Sequence, residues 1–156
     1  MNTFLLQPEA TFYHVTTIEN WEKIQLYGLH SIQRKIFVSR VGELPVLLAI
    51  CLEQLPEIYT SEGIVFLKLP QKKNNFTPND IIQDNQAPLE WTQIFQNIIL
   101  KQYIPIESIE LINIIFLGNS ENERECRINY LAEIARSGQQ NYQKHYITNR
   151  ANELQY

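Results

Sequence analysis

The sequence predicts an α+β domain built on a mixed or antiparallel sheet, and three observations predict it. The pattern runs strand, helix, strand, helix, then several strands and a closing helix, which is not the regular alternation that builds a parallel sheet. The composition, 44% hydrophobic and 19% charged, is that of a globular protein. The 156 residues fit one domain, residues 1–156, and suffice to bury a core without a disulfide or metal staple.

Thr11 to Val15 is aromatic and β-branched and predicts a strand. Thr16-Thr17-Ile18-Glu19 fits a capping box, in which a threonine hydroxyl takes a helix N–H and Glu19 reaches back. Ile18, Trp21 and Ile24 then form one apolar helix face, and Gly28 stands where a left-handed C-terminal cap needs a glycine. Ile36 to Ser39 predicts a second strand. Gly42 to Gln54 predicts a buried helix, with Pro45 tolerable in its first turn. Gly63 to Leu69 alternates and stops at Pro70, giving a third strand.

Gln71 to Pro88 is rich in turn signals and predicts a long functional loop. Gln96 to Gln102 and Ile109 to Leu117 predict further strands, separated by Ile104-Pro105. Arg124 to Ser137 predicts a helix with Ile128, Leu131, Ile134 and Ala135 on one face. From Gly138 the chain is polar and is expected to fray.

The formal charge of −4 argues against binding nucleic acid through a broad basic face. Cys51 and Cys126 form no CxxC pair, as expected of a reducing compartment. No apolar run approaches the roughly 20 residues that span a membrane. The N-terminus lacks the basic and apolar regions of a signal peptide, so a cytoplasmic location is expected. No Gly-rich phosphate loop, HExxH or GxSxG motif occurs, and His30 and His145 have no partners at metal-ligand spacing.

One segment carries a sharper signal. In Phe12-Tyr13-His14-Val15-Thr16-Thr17 a strand ends in His-x-Thr, and a helix containing Asn20 begins at once and closes on Gly28-Leu29. This resembles ADP-ribosyltransferases of the diphtheria-toxin-like branch, especially those that target DNA, and more distantly the tRNA 2′-phosphotransferases. The resemblance implies a compact ADP-ribosyltransferase-like fold with NAD as substrate. It puts His14 against the ribose of the adenosine, Thr16 in the NAD cleft and Asn20 beside it on the first helical turn. A neutral imidazole that donates and accepts at once suits a vicinal diol.

The resemblance extends through Lys35-Ile36-Phe37-Val38-Ser39-Arg40, similar to the family's second strand, to Leu117. It implies Ser39 beside the nicotinamide, and Arg40 suits bidentate binding of the pyrophosphate. An ordinary strand end with a solvated arginine accounts for the same two residues. Members of the family carry a glutamate on a later strand, shortly before an Ile-Pro, which stabilises the charge as nicotinamide leaves. Here Asn97 stands at that place with Gln96 beside it, and Glu90 is the nearest upstream carboxylate. An amide binds a ribose but supplies no full negative charge, a deficit worth a few kcal/mol of transition-state stabilisation.

Three functions follow in order. The first is ADP-ribose transfer to a macromolecular acceptor, nucleic acid or protein. The second is a lapsed NAD-binding or interaction module on the same scaffold. The third, a phosphotransferase acting on phosphorylated RNA, ranks last because only Arg34, Arg40 and Lys72-Lys73 are plausible basic contacts.

Overall fold

A computed structural model describes the backbone of residues 7–88 and 90–153 and the side chains of residues 7–88 and 91–140. In chain order the strands are β1 (Thr11–Thr17), β2 (Leu29–His30), β3 (Ile36–Ser39), β4 (Gly63–Pro70), β5 (Ile81–Gln83), β6 (Gln96–Ile99), β7 (Tyr103–Ile104) and β8 (Glu110–Phe116). The helices are α1 (Ile18–Tyr27), α2 (Leu44–Gln54), α3 (Gln71–Asn74) and α4 (Glu121–Glu153). Six strands form one sheet in the order β5-β6-β3-β1-β4-β8, every neighbouring pair antiparallel, and β2 with β7 makes a separate ribbon. The α+β expectation therefore holds at the level of an antiparallel sheet with helices. No helix among the described residues is long and apolar enough to cross a membrane.

Alternation along the strands divides the core into two layers. One holds Ile64 and Phe66 against α2 and against Ile128, Leu131 and Ala135 of α4. In α2 every residue from Val46 to Cys51 is buried, as its unbroken apolar run demands. The other layer packs Phe12, Val38, Val65 and Leu67 against Trp21 and Ile24 of α1.

The sheet is not uniformly joined. β1 pairs with β4 along its whole length, from Thr11↔Pro70 to Thr17↔Ile64. With β3 it pairs only at Tyr13↔Ser39, so the sheet splits from His14 onward. That split positions the site described below.

At the outer edge of β8 two backbone groups are taken by side chains. Leu117 N–H donates to Glu62 O, so alternation turns Phe116 and Ile114 outward. Their outward groups are taken by side chains: Arg127 Nη1 donates to Phe116 O at 2.9 Å, and Ile114 N–H donates to Asn113 Oδ1 at 2.8 Å. Occupied edge groups oppose pairing with a further strand.

Several boundaries differ from the sequence reading. The expected loop from Gln71 to Pro88 contains α3, a Thr77–Asp80 capping box and β5, an edge strand of the main sheet. Gln96 to Gln102 is β6 followed by a break before β7. The last helix runs past Gly138 to Glu153. Gly138 sits there because a Cβ would collide with Pro45 at the start of α2.

The capping box at α1 also departs from expectation. Thr17 is the N-cap, accepting from Asn20 N–H at 3.2 Å. Glu19 instead accepts from the Ser61 hydroxyl at 2.6 Å and from Glu62 N–H at 3.1 Å, tying α1 to the turn before β4. Desolvation pushes its carboxyl upward, but the hydrogen bonds from Ser61, from its own backbone, from Glu62 and from the Thr17 side chain together outweigh it and hold the group below its ordinary 4.5. Glu19→Ala should lose about 1 kcal/mol in urea denaturation at neutral pH. The folded state keeps this carboxylate ionised better than the unfolded chain does. Its contribution is therefore present above pH 4.5 and disappears as the pH falls through the lower folded value, where the two unfolding curves should converge.

Candidate functional site

The split between β1 and β3 opens a cleft of about 450 Å³ on the α1 side of the sheet. That volume lies within the roughly 300–1,000 Å³ usual for small-molecule sites. Three of the expected ligand residues line it: His14, Thr16 and Asn20. His14 is the first position past the Tyr13↔Ser39 pair, Thr16 follows two residues on with the same facing, and Asn20 begins the exposed stripe of α1.

His14 Nδ1 lies 2.8 Å from Phe37 O, across the gap where no ladder bond forms. A carbonyl only accepts, so Nδ1 carries the proton and, in the neutral ring, Nε2 is an acceptor. Burial lowers the imidazole below its ordinary 6.5, against a smaller opposing effect of the Phe37 hydrogen bond, so the ring is neutral at pH 7. This narrows the sequence expectation. With its donor committed to Phe37, His14 offers a ligand one acceptor rather than a donor and an acceptor.

The other sequence candidates lie elsewhere. Ser39 pairs with Tyr13, one residue out of phase with His14, and so faces α2. Its hydroxyl, 2% exposed, donates to Val41 O at 2.8 Å and accepts from Val41 N–H at 3.0 Å, closing a turn. It borders a smaller cavity of about 170 Å³ with Leu47, Ile50, Cys51 and Gln96. Burial pushes the Cys51 thiol up to about 12, so it is no nucleophile at neutral pH.

Arg40 turns toward β6. Its Nε donates to Asn97 Oδ1 at 3.0 Å and its Nη2 donates to Ile94 O. Asn97, 4% exposed, also donates through Nδ2 to Ile82 O at 3.1 Å. Both ends of the amide are thus used to join β3, β5 and β6. Gln96 is similarly engaged, exchanging hydrogen bonds with Gln54 at 3.0 and 3.2 Å and accepting from the Thr92 hydroxyl at 2.5 Å. Glu90 opens the short turn Glu90–Thr92 that leads to β6, and its side chain lies outside the described residues.

The cleft also presents residues that the sequence reading passed over. Lys23 and Tyr27 of α1, His30 of β2, and Lys35 and Phe37 on the β3 side all line it. His30 Nε2 donates to Tyr27 O at 2.7 Å, and its ring lies against Tyr103 with centroids 4.8 Å apart. Helical periodicity carried the signal for two of them, because Asn20, Lys23, Ile24 and Tyr27 share one stripe. Among the described residues, no aspartate or glutamate lines the cleft. Comparisons with family models, characterised proteins and solved structures returned no match.

Proposed function

We propose that this chain binds NAD in the cleft between β1 and β3, as a domain of ADP-ribosyltransferase type. The observation that carries the reading is the single-pair junction of β1 with β3. It opens a cleft of about 450 Å³ on His14, Thr16 and Asn20, the residues that the resemblance assigns to the ligand. A neutral His14 with Nε2 as acceptor suits a ribose hydroxyl, and Lys23 and Lys35 suit a pyrophosphate.

ADP-ribose transfer to a nucleic acid or protein is the stronger form of the same reading. Asn97 is committed to Arg40 and Ile82, so the need for a carboxylate rests on Glu90. Glu90→Gln should abolish transfer of label from NAD while leaving NAD affinity intact, the pattern of a lost transition-state contact. Wild-type protein that binds NAD but labels nothing in a lysate would leave binding alone.

The binding claim has its own test. His14→Ala should weaken NAD up to about tenfold in calorimetric titration, as expected when one hydrogen bond to the ligand is lost. The melting temperature should change by only a few degrees. A steep fall in melting temperature with unchanged affinity would make His14 a brace between β1 and β3 and nothing more.

A further inference from the structure

We propose that Lys23 and Lys35, not Arg40, hold the phosphates of the ligand in the β1–β3 cleft. The ligand class is then a nucleoside diphosphate or dinucleotide, not an uncharged nucleoside. This inference rests on the reading of the cleft as an NAD site and assigns the anionic half of the ligand within it.

The argument begins with charge. The chain carries more acids than bases, with a formal charge of −4. Lys68 and Lys73 lie within 3.9 and 2.8 Å of Glu110, and Lys101 lies 3.5 Å from Asp80. Lys23, Lys35 and Lys72 have no ion pair among the described residues, and of these Lys23 and Lys35 line the cleft on the α1 side of the sheet. Two cations that line one cleft from different elements make it attractive to a polyanion.

Geometry supports the same assignment. Lys23 stands on the α1 stripe between Asn20 and Tyr27 and reaches the cleft from the helix side. Lys35 enters from the opposite wall, just before β3. Its backbone is pinned there, with Lys35 N–H donating to Ser31 Oγ at 3.0 Å and Ser31 Oγ donating to Lys35 O at 3.1 Å. Arg34 adopts a left-handed φ of 58° to complete this turn. A non-glycine residue there marks a backbone held by its surroundings. Arg40, the sequence candidate for the pyrophosphate, spends its guanidinium on Asn97 and Ile94.

The test is calorimetric titration of ADP-ribose, adenosine and inorganic pyrophosphate into wild type and the K23Q/K35Q double variant, at low and high salt. Both lysines are exposed, and a melting curve equal to wild type checks that the variant is folded. The double substitution should weaken ADP-ribose about tenfold or more and flatten its salt dependence, as expected for two charge-assisted contacts. Adenosine affinity should not move. ADP-ribose binding that ignores both substitutions would overturn the lysine assignment and leave the NAD reading standing. Lysine-dependent binding of pyrophosphate, with no affinity for ADP-ribose, would keep the anion site and remove the NAD reading. Failure of wild type to bind either anion would end both.

Discussion

Gly28→Val should destabilise the fold by about 3 kcal/mol or more, and two separate causes add to reach that figure. Gly28 has φ 79° and ψ 179°, a combination that is essentially open only to glycine. Its N–H still closes α1 by donating to Ile24 O at 2.8 Å, so the residue ends the helix while turning the chain into β2. A Cβ at this position would sit 2.5 Å from Tyr103 Cε2 and 2.8 Å from the backbone oxygen of Ile104. The tyrosine ring is free to shift; the β7 backbone is not, because Leu29↔Ile104 is a pair of the β2–β7 ribbon. The substitution therefore strains φ and pushes β7 away from β2. Chemical denaturation measures this directly, and an unchanged midpoint would mean that the helix does not end at Gly28.

Asn97→Glu should cost about 2–4 kcal/mol of stability and should not create transfer activity. The amide of Asn97 donates to Ile82 O and accepts from Arg40 Nε. A glutamate keeps an acceptor for Arg40, but it sets an oxygen against the Ile82 carbonyl and adds a methylene to a buried site. The Arg40 charge offsets part of this loss, so the loss falls below that of an unpaired buried carboxylate. The measurement is urea denaturation beside transfer of label from NAD. A variant as stable as wild type that gains transfer would show that position 97 faces the ligand, contrary to the hydrogen bonds seen.

These two positions illustrate what the sequence could and could not convey. Gly28 was legible as the helix end that needs a glycine, although its ψ of 179° is extended and not that of the left-handed cap expected. β3, from Ile36 to Ser39, was legible to the residue from its local pattern: β-branched residues bounded by charge. β5 was not, because its three residues lie among turn signals and gain strand structure only by pairing with β6. Glu19 satisfied a local capping pattern, yet Ser61 and Glu62 supply better donors from a distant turn. The polar chain from Gly138 is expected to fray, whereas the missing side chain of Gly138 is what lets α4 lie against Pro45.

The site divides along the same line. His14, Thr16 and Asn20 could be read together because strand alternation and the first helical turn fix their facing locally. The direction of Arg40 depends on the register of β3 with β6, where Val38 pairs with Asn97, and no local pattern encodes that register. Lys23 was encoded in the α1 stripe. Its pairing with Lys35 in one cleft depends on the tertiary fold, which no local pattern encodes.

A crystal structure of the chain grown with NAD tests the central claim most directly. The dinucleotide should lie between α1 and β3, with a ribose hydroxyl donating to His14 Nε2 while Nδ1 keeps its hydrogen bond to Phe37 O, and with Thr16 against the ligand. NAD bound in the cavity beside Ser39 and Cys51, or a cleft that stays empty at saturating NAD, would contradict it.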